Sequence, residues 1–249
     1  MTTYSVLDIQ VSAVNPDLAF SVIRDLVASR AKAYVCVAPV STIVDARRDP
    51  QYRAVVNAAA MVTPDGAPVA WLGRWHGHKS VRRTYGPDLM LQVCAEGRAQ
   101  GFRHFFYGAS APVCDRLEHN LRSRFPGIHI AGKIAPPYIS KAAVLADAVI
   151  KEINAARPDV LWVGLGSPKQ DLWMALNRAA LDVPVMIGIG AAFDFIAGEK
   201  PQAPGWMRAC ALEWLFRLCC EPRRLWKRYL LGNTLFIFWL IKDAVFKRR

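Results

Sequence analysis

The sequence predicts an α/β fold, a parallel Rossmann-like sheet flanked by helices, with a helical appendage at the C-terminus. Three observations carry this reading. Helical patterns alternate with short β-rich runs, and each of those runs ends in Gly, Pro or Ser. The segment Gly198-Glu199-Lys200-Pro201-Gln202-Ala203-Pro204-Gly205 then breaks the alternation, and every later segment is helical in flavour. At 249 residues and 53% hydrophobic, the chain has enough apolar material for one large core. The expected division is an α/β core over 1–200 and an appendage over 201–249.

Taken in order, the first helix is expected over 17–29 and the first strand over 34–37, where Tyr34-Val35-Cys36-Val37 is β-rich throughout. A helix over 51–59 leads into a short strand over 60–62, which stops at Thr63-Pro64-Asp65-Gly66. Helices over 88–100 and 112–125 bracket a strand over 105–108, and a strand over 129–132 precedes a helix over 141–156. The apolar strand 160–164 runs into Gly164-Leu165-Gly166-Ser167-Pro168-Lys169-Gln170-Asp171, which opens a helix over 168–179; a last strand covers 185–190. Parallel strands of this kind gather their loops at the carboxyl edge, where open α/β sheets bind ligands.

The loop after the strand 160–164 is the most informative segment. Ser167 suits an N-cap, Pro168 the first helical position and Gln170 the return partner of a capping box. Free backbone N–H groups, the helix dipole and Lys169 make such a turn attractive to an anion, and Gly164 and Gly166 let a diphosphate come close. On the same edge, the turn carboxylate Asp65 is the expected general base. Asp88, after Tyr85-Gly86-Pro87, is expected to cap a helix, and Arg82 and Arg83 have reach to a phosphate or a sugar acid. His76-Gly77-His78 has no further ligands at metal-type spacing, and no Asp-x-Asp pair is present, so a metal-independent site without cofactor is expected.

The net charge of +12 is unevenly placed. Residues 205–249 hold 10 Lys/Arg against 3 Asp/Glu, +7, which leaves +5 for the rest of the chain. Four of the eight tryptophans, Trp206, Trp214, Trp226 and Trp239, lie in the same stretch. Trp beside Lys and Arg is the composition of a membrane-interface segment, and the apolar run 235–241 falls far below the roughly 20 residues needed to cross a bilayer. An anionic membrane surface is therefore the expected partner, and nucleic acid is not. Residues 1–14 lack the pattern of a secretory signal, which places the expected location in the cytoplasm. The six cysteines read as small buried hydrophobes. Glu213, Arg217 and Glu221 stand at i,i+4 spacing, as ion pairs on one helix would. A dinucleotide dehydrogenase is disfavoured because no Gly-x-Gly-x-x-Gly opens the chain.

Together, Thr63-Pro64-Asp65-Gly66, Tyr85-Gly86-Pro87-Asp88-Leu89-Met90, the 164–173 segment, Gly190-Ala191-Ala192-Phe193-Asp194-Phe195 and the 213–228 tail resemble the TagA/WecG/CpsF glycosyltransferases, family 26, over nearly the whole chain. The resemblance implies an inverting, metal-independent hexosyltransferase that moves a sugar from a UDP-sugar to an undecaprenyl-diphosphate-linked saccharide in cell-surface polysaccharide synthesis. It makes Asp65 the base, Gln170 a sugar or acceptor contact and Arg83 a substrate-binding cation. Arg217, Arg224 and Lys227 would close over the diphosphate, joined by Arg228. Thr63, Asp88, Gly108, Pro137, Tyr138, Gly164, Gly166 and Lys169 complete the expected substrate-binding set. The same resemblance implies a tail that docks on the inner leaflet of the cell membrane and a homo-oligomer away from it. Val37-Ala38-Pro39-Val40-Ser41 stands where many members carry a polar Thr-x-Asn-type pair, and Tyr34-Val35-Cys36 with Pro136-Pro137-Tyr138 is similar to an exopolysaccharide glucosyltransferase subgroup. The donor is expected to be UDP-glucose or UDP-N-acetylmannosamine or its uronate. The alternative is a non-catalytic nucleotide-binding scaffold docked on the membrane.

Overall fold

The computed structural model describes residues 1–137 and 141–246. A hairpin of β1 (Thr3–Val6) and β2 (Ile9–Ser12) comes first, followed by α1 (Pro16–Ala28), β3 (Ala33–Ala38), α2 (Val40–Arg48), α3 (Pro50–Asn57) and β4 (Met61–Pro64). Next come α4 (Ala67–Trp75), α5 (Gly86–Gly97), β5 (Arg103–Gly108), α6 (Ala111–Arg124), β6 (His129–Ile134) and α7 (Asp147–Ala156). The core ends with β7 (Val160–Gly164), α8 (Lys169–Asn177), β8 (Val185–Gly188) and α9 (Ala192–Ile196). The tail consists of α10 (Gly205–Ala209), α11 (Glu213–Cys220), α12 (Pro222–Trp226), a π-helical turn (Lys227–Leu231) and α13 (Gly232–Phe246).

Strands β3 to β8 form one six-stranded sheet in the order β4-β3-β8-β7-β5-β6, parallel at every pairing. The pleat sends alternate side chains into opposite layers, and both layers are apolar because helices cover both faces. Val35, Val37, Val160 and Trp162 enter the layer beneath α1, α5, α6 and α9. Tyr34, Cys36, Leu161 and Val163 enter the layer beneath α7 and α8. A third cluster, built from the hairpin, α2, α3, α4 and Phe236 of α13, covers the β3/β4 edge.

Several expectations need correction. The hairpin is absent from the reading because Leu7 and Asp8 make its turn with φ of 50° and 67°, without the Asn-Gly or Asp-Gly pair that usually announces such a turn. Helices α2 and α4 were not anticipated either. The helix expected from residue 141 starts only at Asp147. Residues 143–145 are tied instead to Asn177 of α8, whose Nδ2 donates to the Ala143 carbonyl (3.0 Å) while its Oδ1 accepts from the Leu145 N–H (2.8 Å). Of the cysteines, Cys36, Cys94 and Cys114 are buried, whereas Cys210, Cys219 and Cys220 are exposed in the tail.

The crevice between β5 and β7 depends on glycine. Gly108 has φ +132°, and a Cβ there would lie 2.6 Å from the Gly164 carbonyl oxygen. Helices α6 and α8 then leave these two strands for opposite faces of the sheet, the arrangement that opens a ligand crevice. Gly108→Ala is expected to lower stability by roughly 2–4 kcal/mol, through backbone strain and overpacking, in a urea titration. An unchanged midpoint would show that the strand ends can part without cost.

Candidate active site

Asp65 follows β4 directly, and its N–H donates to the Ala38 carbonyl (3.4 Å), so the end of β3 fixes the turn. The residues Arg83 and Thr84 strap across this strand end, with the Thr84 N–H on the Pro64 carbonyl (2.9 Å). Arg83 donates from Nε to the Asp65 carbonyl (2.5 Å) and from a terminal nitrogen to Glu213 of α11 (2.6 Å), and its guanidinium lies 3.7 Å from the Asp65 carboxylate. It also covers the Tyr85 ring at 4.2 Å. Arg83 is therefore held by protein carboxylates and positions Asp65, and it also lines the cleft that Asp65 lines. Its link to Glu213 ties the tail to the core.

Burial pushes the Asp65 carboxyl up to about 6, against the pull of Arg83 and with a further push from Glu213; Arg217 and Arg228 pull it down more weakly. A carboxylate with that affinity for protons is ionised at neutral pH yet basic enough to take one in a transition state.

Asp65 lines a cleft of about 710 Å³. Its other walls come from Pro39-Val40-Ser41 at the start of α2, from α4, and from the tail, which reaches over the carboxyl edge. Arg217 and Arg228 both face this cleft. Arg228 donates to the Ser41 hydroxyl (2.6 Å), and Arg217 lies over the Phe195 ring (5.3 Å). Among the described residues neither cation is paired with a carboxylate within 4 Å, although Asp65 lies within electrostatic reach of both and Asp45 within reach of Arg228. Arg217 also borders a smaller cavity of about 470 Å³ beside Phe195, Lys200 and Leu225.

The other expected site residues are placed as follows. Thr63 is fully buried in β4, away from the cleft. Asp88 sits in the first turn of α5, behind the cap residue Tyr85, because Gly86-Pro87 takes the first two helical positions; it pairs with Arg208 (3.6 Å). Arg224 is exposed and pairs with Glu221, and Lys227 lies over the Trp226 ring (5.5 Å), so neither lines the cleft. The i,i+4 pairs expected along α11 are not made, since Glu213 turns to Arg83 and Glu221 to Lys200 (3.2 Å) and Arg224. Gly108 and Pro137 lie on the far side of the edge, beyond β7, and Tyr138 falls outside the described residues.

The 164–170 turn occupies the same carboxyl edge as Asp65, three strand spacings away, about 14 Å. Its capping box is not formed. Helix α8 begins at Lys169 with Pro168 as cap residue, and Gln170 is buried with its Oε1 accepting from the Gly166 N–H (3.1 Å) and the Gly190 N–H (2.8 Å), its Nε2 donating to Ser167 Oγ (3.2 Å). Gln170 thus stitches the loops after β7 and β8 together. One amide expected to be open to an anion is spent on it. Asp171, next in sequence, is fully buried and accepts from the Tyr52 hydroxyl (2.6 Å); burial pushes its carboxyl up to about 6, against that hydrogen bond.

His76 and His78 pack beside the Tyr4 ring, and among the described residues no group of three or more His, Cys, Asp or Glu is placed to hold a metal ion. The residues that sequence reasoning missed are Ser41, Glu213 and the cleft-facing Trp71, Trp75 and Tyr229. Only Glu213 carried a signal, as an acid in a strongly basic tail.

The carboxyl edge of a parallel α/β sheet thus brings a carboxylate of raised proton affinity and two guanidinium groups to one cleft. Residues 4–249 match the model of the glycosyl transferase WecG/TagA/CpsF family, and the chain belongs to that family. It is a glycosyltransferase. Among its relatives is an N-acetylglucosaminyldiphosphoundecaprenol N-acetyl-beta-D-mannosaminyltransferase of Bacillus spizizenii, 31% identical over 198 residues, 80% of this chain and 75% of the relative. Proteins of the same name from Bacillus subtilis and Staphylococcus aureus are 30% and 28% identical, covering 88% and 80% of this chain and 74% of each relative.

Proposed function

We propose that the protein transfers N-acetylmannosamine from its UDP-sugar to an N-acetylglucosaminyl-diphosphoundecaprenol acceptor, with inversion at the anomeric carbon. The observation that carries this is Asp65, a carboxylate of raised proton affinity at the floor of a cleft roofed by Arg217 and Arg228. Asp65 takes the proton from an acceptor hydroxyl, that oxygen bonds to the anomeric carbon, and the bond to the departing UDP breaks with its electron pair on the phosphate. Arg217 and Arg228 meet the charge that develops there. The nucleotide lies along the carboxyl edge toward the 164–170 turn and the β5/β7 crevice, with its sugar near Asp65. The mannosaminyl donor is chosen over glucose because the three relatives above carry that name, and glucose has no such support.

Among the described residues no helix is long and apolar enough to cross a membrane. Helix α13 nevertheless exposes Ile237, Phe238, Ile241 and Val245 while Phe236 and Trp239 pack on the core, a face suited to lying on a bilayer. Peripheral attachment through this face brings a lipid-linked acceptor to the cleft. Incubation with radiolabelled UDP-sugars and lipid-diphosphate acceptors tests the reading. Label from UDP-N-acetylmannosamine is expected in the lipid fraction; transfer from another donor overturns the sugar assignment, and nucleotide binding without transfer supports the scaffold.

A further inference from the structure

The two long walls of the cleft both begin at its charged end. Helix α4 starts two residues after Asp65, and α13 starts four residues after Arg228. As α4 runs outward, Pro68, Trp71 and Trp75 follow one another along the cleft at i, i+3 and i+7, one face of a helix. Opposite them, Ile237 and Leu240 of α13 complete an apolar wall. The nine residues of α4 span about 13 Å, so the cleft changes over that length from charged side chains to hydrocarbon. Trp71 is 44% and Trp75 81% exposed, and Ile237 is 56% exposed. Large apolar side chains facing one another across an open groove mark a binding surface. These tryptophans belong to the core, so a membrane-docking tail alone leaves them unexplained.

We propose that α4 and α13 form a channel for the isoprenoid chain of the acceptor, with Trp71 and Trp75 as its outer wall. This rests on the reading of the cleft as a glycosyltransferase site for a lipid-linked acceptor. The hydroxyl end of such an acceptor has to reach Asp65, and the acidic link to its chain suits the cationic end of the cleft. From there the hydrocarbon follows α4 outward, where each added isoprene unit replaces water against Trp71, Ile237, Leu240 and then Trp75.

The test compares binding of geranylgeranyl diphosphate and isopentenyl diphosphate, which share a headgroup and differ in chain length, to the full protein by calorimetry. The wild type is expected to bind the longer chain at least tenfold more tightly. Trp71→Ser/Trp75→Ser is expected to bring the two affinities within about twofold while leaving isopentenyl diphosphate unchanged; Trp75→Ser alone, at the more exposed position, gives an intermediate ratio with an unchanged fold by circular dichroism. A wild type without chain-length preference, or a double variant that keeps it, overturns the proposal. So does a double variant that loses only its binding to phosphatidylglycerol vesicles, since the tryptophans then serve the bilayer. Sugar transfer by the wild type is measured separately: its absence removes the parent reading, whereas the binding ratio reports on the channel itself.

Discussion

Asp65→Asn is expected to lower kcat for sugar transfer by 10²-fold to 10⁴-fold, roughly the contribution of a positioned general base. Binding of UDP should be nearly unchanged, because the substitution keeps the shape of a side chain whose main neighbours are Arg83 and the end of β3. The pH dependence supplies a second reading. With the carboxyl at about 6, kcat/KM of the wild type is expected to fall about tenfold per unit below that pH and to be flat above it. The Asn variant should lack this limb.

The same shift fixes the sign of a stability effect. The native carboxyl holds its proton up to about 6, whereas the unfolded one releases it near 3.9, so the native state binds the extra proton in between. The contribution of Asp65 to stability is thus fully present below the unfolded value and is lost as pH rises through about 6. At pH 8 the ionised group weighs against folding by on the order of 3 kcal/mol, and Asp65→Asn is expected to unfold no more easily than the wild type in a thermal scan. Normal turnover in this variant removes Asp65 from the base role.

The second large effect belongs to the tail. Arg217→Ala/Arg228→Ala is expected to reduce kcat by 10²-fold to 10³-fold, the scale on which a fixed donor at developing charge acts, and to weaken UDP binding. Each arginine is held by something other than a carboxylate, Arg228 by Ser41 and Arg217 by the Phe195 ring, so their charge remains available to the diphosphate. Arg228→Lys should recover little, because a lysine offers a point charge in place of a planar fork that reaches Ser41 and phosphate together. Arg224→Ala, by contrast, removes an exposed charge outside the cleft and should leave turnover nearly intact. Equal losses in both variants would point to the net charge of the tail and away from these two positions. The double substitution is more informative than truncation before α10, which would also strip Phe236 from the cluster over the β3/β4 edge.

What was legible in the sequence is what local pattern can encode. The apolar run of β7 and the turn after β4 announce themselves because a strand buried on both faces must be apolar at every position, and the strand must then end. Asp65 could be singled out for the same reason, as a carboxylate at a strand end. The site's other contacts depend on long-range placement. Arg83 meets Glu213 across 130 residues and Arg228 meets Ser41 across 187, and no spacing rule reaches that far. Gln170 shows the opposite failure. Its position beside Ser167 and Pro168 satisfied the local rule for a capping box, but the Gly190 amide, 20 residues away, took its side chain instead. Resemblance picked Arg217, Arg224 and Lys227 as the cations of the site, and the helical turn of the tail brings only Arg217 of these to the cleft, with Arg228 beside it.

In the proposed reaction the Asp65 side of the sheet edge and the cations of the tail serve one nucleotide sugar. A crystal structure with UDP bound tests this most directly. The diphosphate is expected against Arg217 and Arg228 and the uridine toward the β5/β7 crevice, with the Asp65 carboxylate facing the space beside the terminal phosphate. UDP bound away from the carboxyl edge, or at that edge with both arginines turned away from it, would contradict the account.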